Sequence, residues 1–207
     1  MTTVVLATGN AGKLGEFRSC FEGSDVRFLS LKEIGFEGDI VEDGRTFREN
    51  AEIKARAVAS FLDRNPDRAA TVDAVLADDS GLEVAALGGA PGIHTARFAG
   101  PGATNSSNID KLLGLLEGAA DRRARFVCTL CLLRRRGGSW SAPEFCDGAC
   151  AGTILEAREG EGGFGYDPVF RPEGRDVSFA LMDGAEKDRI SHRGRAIQAL
   201  RRILAGT

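Results

Sequence analysis

Thr3-Val4-Val5-Leu6-Ala7-Thr8-Gly9-Asn10-Ala11-Gly12-Lys13 is the stretch that sets the architecture. Its first five residues form a short apolar run, which predicts a strand buried on both faces. Thr8 to Lys13 interrupts that run with two glycines and polar side chains, after which Leu14, Phe17 and Phe21 recur at helical spacing. Strand, glycine loop and helix in that order open an α/β chain. The turn sets backbone N–H groups and the positive end of a helix beside Lys13, so residues 8–13 are a candidate anion site. An ordinary strand-to-helix turn has the same outline.

The next segments extend the pattern. Val26 to Ser30 reads as a second strand, and Thr46-Phe47-Arg48-Glu49 as a capping box that starts a helix. On that helix Phe47, Ala51, Val58, Phe61 and Leu62 share one face, and Asn50 and Lys54 fall in the middle of it. An amide and an ammonium among apolar neighbours are costly unless partnered. They are read as pointing into a polar cleft, the alternative being a lysine that reaches past the core to water. Asp63 to Asp73 reads as a polar linker. Ala74 to Ala77 is a buried strand that runs into Asp78-Asp79-Ser80-Gly81. Paired carboxylates at the end of such a strand are a frequent metal or catalytic arrangement, and alternation should turn the two aspartates opposite ways. An Asp-rich turn is the plainer alternative. Leu82 to Ala86 continues as a possible strand.

Further on, Gly88-Gly89-Ala90-Pro91-Gly92 is a compact loop, Asn108 to Glu117 a helix and Arg125 to Leu133 a strand. Arg134 to Gly138 reads as a hairpin turn, with Glu144 to Ala151 returning as its partner. Gly162-Gly163-Phe164-Gly165-Tyr166-Asp167-Pro168 is a second glycine loop holding the only tyrosine. An aromatic ring flanked by glycines presents a face suited to stacking on a base. Lys187, Ser191, His192 and Arg193 precede a closing helix, which Ser191 can cap, and they read as an anion or base pocket. The whole fits an α/β fold around a mixed sheet.

Composition bounds what such a chain does. Its 207 residues amount to one domain or one domain with two lobes, 43% hydrophobic and 28% charged. The net charge of −3 argues against long nucleic acid as a partner, while leaving room for a small anion handled with a cation. No apolar run is long enough to span a membrane, and the N-terminus shows no basic signal region, so a cytoplasmic protein is expected. The five cysteines include Cys128 and Cys131, which as strand residues three apart should face opposite ways. Buried reduced thiols are expected rather than a zinc site. Neither a P-loop nor a nucleophile elbow is present in the sequence, and the first strand–helix turn carries no dinucleotide fingerprint.

Five motifs occur in a fixed order: Thr8 to Lys13, Asp78-Asp79-Ser80-Gly81-Leu82, Gly88 to Gly92, Gly163-Phe164-Gly165-Tyr166-Asp167 and Ile190-Ser191-His192-Arg193-Gly194. In this the chain resembles the inosine triphosphate pyrophosphatase family, also called dITP/XTP pyrophosphatases, over nearly its whole length. The resemblance implies a single two-lobed domain over residues 1–207, with a long central mixed sheet, a substrate cleft between the lobes, and a homodimer. It implies Mg²⁺-dependent hydrolysis of noncanonical purine nucleoside triphosphates (ITP, dITP, XTP) to the monophosphate and pyrophosphate, cleansing the nucleotide pool. Thr8, Gly9, Asn10, Ala11, Gly12 and Lys13 then match phosphate contacts, and Asn50 and Lys54 lie near the phosphates. Glu42 and Asp79 match the metal carboxylates, and Asp79 also the proton acceptor. Ser80, Phe164, Gly165, Tyr166, Asp167, Lys187, His192 and Arg193 match substrate contacts.

A carboxylate bound to Mg²⁺ is a weak base, so Asp79 is expected to position the attacking water rather than take its proton. Donors such as Arg193 facing a 6-keto oxygen would disfavour adenine, whose amino group is itself a donor. His94 stands where many members carry tyrosine. A pyrophosphatase for pyrimidine or ordinary triphosphates, and a catalytically silent nucleotide-binding regulator, are the alternatives.

Overall fold

A computed structural model describes residues 1–205. The elements run β1 (Thr2–Leu6), α1 (Ala11–Cys20), β2 (Val26–Leu29), α2 (Phe47–Asp63), α3 (Pro66–Ala69), β3 (Ala74–Val84), α4 (Asn105–Leu115), β4 (Arg123–Arg136), β5 (Ser139–Trp140), β6 (Glu144–Ile154), β7 (Phe170–Pro172), α5 (Gly184–Ile190) and α6 (His192–Ala205). The strands form one seven-stranded sheet in the order β2-β1-β3-β4-β6-β7, with β5 paired to β4. β1 is parallel to both neighbours, Thr2 opposite Val26 on one side and Val4 opposite Ala74 on the other. β4–β5 and β6–β7 are antiparallel, so the expected mixed α/β sheet is present. Val4, Val5 and Leu6 are buried, as a strand with neighbours on both edges requires.

The chain divides into two compact units. One holds Met1–Asp79, Thr129–Asp147 and the segment from Ile197 on; the other holds Ser80–Cys128 and Gly148–Ala196. In the first unit Val5, Val75, Ala77, Cys131 and Leu133 of the strands, with Ala7 just after β1, pack with Ala51, Ala55, Val58 and Leu62 of α2. The alanines along that face let the helix backbone approach the sheet. In the second unit Leu82, Val84, Ile109, Leu112, Phe126, Tyr166, Phe170 and Phe179 form the core, with Phe126 edge-on to Phe170 at 4.7 Å between centroids. All five cysteines are free thiols, and burial pushes Cys131 up to about 12.

Several expectations are corrected. Asp78 and Asp79 are not at a strand end or in a turn: β3 runs unbroken for 11 residues, because Leu82 and Val84 resume the buried pattern. The linker over 63–73 contains α3, opened by Pro66 at its first position, where a missing N–H costs nothing. Arg134 to Arg136 belong to β4, and only Gly137-Gly138, both at positive φ, make the turn. Arg134 pairs with Glu144, and Arg135 donates to the Ala69 carbonyl at 2.6 Å, so these arginines tie the hairpin down. α4 starts three residues earlier than Asn108, under a reciprocal cap between Thr104 and Ser107. The capping box of α2 is half formed: Thr46 accepts from the Glu49 N–H, but Glu49 reaches back to the Arg45 N–H. α5 lies where no separate helix is expected from the sequence.

Candidate active site

In the first unit the site begins at the end of β1. The Asn10 side chain caps α1 by accepting from the Lys13 N–H at 3.1 Å, and the Asn10 N–H donates to Thr8 Oγ1. The first turn of α1 carries no acidic residue, so its positive end is uncompensated from within the helix. Thr8 is half-buried and Gly9, Asn10, Ala11 and Gly12 are exposed. The Lys13 ammonium pairs with Asp78 Oδ1, on a side chain that is fully buried. The sequence leaves Asp78 without a part; the structure makes it the partner of Lys13.

The neighbouring aspartate holds a different lysine. Lys54 Nζ donates to Asp79 Oδ1 at 2.6 Å and to Glu42 Oε2 at 2.8 Å, so one ammonium joins two carboxylates. Burial pushes the Asp79 carboxyl up to about 6, helped by the Glu42 charge and opposed by Lys54 and Lys13. Burial also works against the Lys54 ammonium, but Asp79 and Glu42 more than restore it and its pKa is raised. The second Asp79 oxygen, Oδ2, is buried with no hydrogen-bond partner. Asn50 turns its amide oxygen to the Gly44 N–H at 2.9 Å and so fixes the loop that carries Glu42. A side chain at Gly44 would meet that oxygen at 2.5 Å, which explains the glycine.

The second unit holds the other candidates. Asp167 Oδ2 accepts from the Phe164 N–H at 2.8 Å and from Lys187 Nζ at 2.6 Å, locking the glycine loop to α5. Gly163 and Gly165 have positive φ, and a Cβ on Gly163 would meet Asp167 Oδ2 at 2.2 Å. Lys187 Nζ stands 4.8 Å, and the Arg193 guanidinium 5.4 Å, from the centre of the half-buried Phe164 ring. Arg193 also donates to Ser80 Oγ at 2.9 Å. Ser191 caps α6 through the Gly194 N–H, as expected. His192 is buried and stacks on Phe126 at 4.7 Å and 12°. Tyr166 is not placed as the sequence reading has it. Its ring lies in the core, 2% exposed, and its hydroxyl donates to the Thr95 carbonyl at 3.0 Å, leaving no face for a base. A tyrosine in a glycine loop gives no sign of which way it turns; its alternation with half-buried Phe164 is the available signal.

The carboxylate pair can be tested against a cation. Among the described residues no group of three or more His, Cys, Asp or Glu is arranged to hold a metal. The pair at Glu42 and Asp79 offers hard oxygen donors and one unpartnered buried acceptor. That set fits Mg²⁺, which keeps waters and takes substrate phosphate oxygens rather than demanding an all-protein cage.

Comparison with known proteins places this geometry in context. A family model described as the Ham1 family matches residues 4–203. A dITP/XTP pyrophosphatase of Syntrophobacter fumaroxidans is 46% identical over 96% of this chain and 80% of its own length. One from Staphylococcus epidermidis is 40% identical over 100% of this chain and 98% of its own. Among solved structures, a HAM1 protein from Coxiella burnetii superimposes with a TM-score of 0.84 at 38% identity, covering 100% of both chains.

Proposed function

The chain belongs to the Ham1 family, and we propose that it hydrolyses noncanonical purine nucleoside triphosphates (ITP, dITP and XTP) to the monophosphate and pyrophosphate. The observation that carries the reading is the joined set Glu42–Lys54–Asp79 with its unpartnered Asp79 Oδ2. Such a set is costly as scaffold and has a use where a cation and a polyphosphate meet. Glu42 and Asp79 would hold Mg²⁺, which when bound neutralises phosphate charge and acidifies a coordinated water.

The chain's own residues do the rest. The N–H groups at the start of α1, with Lys13 and Lys54, bind phosphate oxygens. Asp79 Oδ2 accepts a hydrogen bond from the attacking water and orients it. In the second unit Phe164 offers a ring for stacking on the purine. Lys187, Arg193 and Ser80 make its surroundings rich in donors. A keto oxygen at position 6 satisfies such donors, whereas an amino group leaves donor against donor, at a cost of about 1–3 kcal/mol.

The same reading makes the enzyme a cytoplasmic homodimer that keeps aberrant purines out of DNA and RNA. Among the described residues no helix is long and apolar enough to cross a membrane. Chromatography of an ITP digest tests the activity. The expected products are IMP and pyrophosphate in equal amounts, lost with EDTA and restored by Mg²⁺. Release of orthophosphate and IDP, or turnover indifferent to EDTA, contradicts the proposal.

A further inference from the structure

We infer that Lys54 is an internal competitor for the cation site, occupying with its ammonium the oxygens a divalent ion would take. The inference rests on the reading of Glu42 and Asp79 as cation ligands. Lys54 rises from the middle of α2, its side chain is 9% exposed, and its Nζ lies within 2.8 Å of both carboxylates. The backbone behind it is fixed, because Ala51, Ala55 and Val58 of the same helix are fully buried. The loop carrying Glu42 is fixed by Asn50, one turn earlier.

Two cations cannot share these oxygens without cost. A divalent ion that takes Asp79 Oδ1 and Glu42 Oε2 displaces the ammonium from them, and one bound to the second oxygens of the two carboxylates stands close against its charge. A displaced ammonium in a largely buried setting needs another anion. The phosphate chain of a nucleotide is an anion of the right chemistry, and it reaches the protein together with the ion. Without nucleotide, Lys54 holds down the affinity for the cation. With nucleotide, the ammonium has somewhere to go. The coupling is reciprocal: whatever the phosphate does for the cation, the cation does for the phosphate.

The probe is Mn²⁺ alone, with free ion read by its EPR signal in slightly alkaline buffer without nucleotide. Wild type, Lys54→Met, Lys54→Gln and Glu42→Gln are compared after circular dichroism has checked their folding. Both Lys54 variants are expected to bind Mn²⁺ at least about fivefold tighter than wild type. Glu42→Gln is expected to bind it more weakly. In turnover assays with ITP, Lys54→Met should lower the Mn²⁺ concentration for half-maximal rate while raising the nucleotide KM.

Equal or weaker Mn²⁺ binding in both Lys54 variants, with the dependence on Glu42 intact, overturns the competitor role and leaves the carboxylate pair as the cation site. Mn²⁺ affinity indifferent to Glu42, or no binding by any of the four proteins, overturns the reading of the pair and the inference with it.

Discussion

At the scale of single residues, Asp79 is the most heavily conditioned group in the chain. Burial pushes its carboxyl up to about 6 despite two lysines. A group whose folded pKa lies above its unfolded value contributes stability that is fully present below the unfolded value and lost as pH rises through the folded one. The metal-free protein therefore loses about 1 kcal/mol from this group between roughly pH 5 and pH 8. Asp79→Asn should remove that part of the slope. Urea midpoints at the two pH values in EDTA check it, and an unchanged pH difference in the variant contradicts it. Lys54 and Asn50 show how much of this was legible in sequence. Both sit in the middle of an otherwise apolar helix face, which marks them as residues with a polar use. Their partners were not readable, because Asp79 and Gly44 are 25 and 6 residues away and spacing does not encode a tertiary contact.

At the scale of elements, two loops depend on contacts that a single side chain can break. Gly44→Ala places a methyl group against Asn50 Oδ1 and the Glu49 Cβ, so the loop bearing Glu42 must shift. The expected stability loss is about 1–2 kcal/mol, with a drop in kcat/KM larger than that loss explains. Paired urea and turnover measurements separate the two, and full activity in a folded variant would count against a role for Glu42. Asp167→Asn weakens the hold on Lys187 and on the Phe164 N–H. Stability should fall by on the order of 2 kcal/mol, since a buried ammonium loses a close carboxylate. Chemical denaturation reads it, and a neutral result would mean that Lys187 does not depend on Asp167. Element type was largely visible beforehand because apolar period and glycine punctuation are local signals. The errors fall where local signals mislead. Asp78-Asp79-Ser80-Gly81 looks like a turn, yet β3 passes through it, because each aspartate meets a lysine from a different helix. The arginines after Leu133 look like a polar turn, yet they find partners in Glu144 and Ala69 while still in β4.

At the scale of the whole molecule, the mixed sheet was legible because its front is a parallel strand–helix–strand unit and its middle an antiparallel hairpin. The division into two units has no local signal in the sequence, since β3, β4 and β6 each contribute residues to both. On the proposed function the molecule selects noncanonical purine triphosphates with an oxygen at position 6 and cleaves them to release pyrophosphate. The most direct test is a panel of ITP, dITP, XTP, ATP, dUTP and TTP with Mg²⁺, reading pyrophosphate release and kcat/KM for each. ITP, dITP and XTP should exceed ATP by about tenfold to a hundredfold, the value of one mismatched buried donor, and should also exceed TTP, whose smaller ring offers less area for stacking on Phe164. A preference for ATP or TTP, or no pyrophosphate from any of the six, would contradict it.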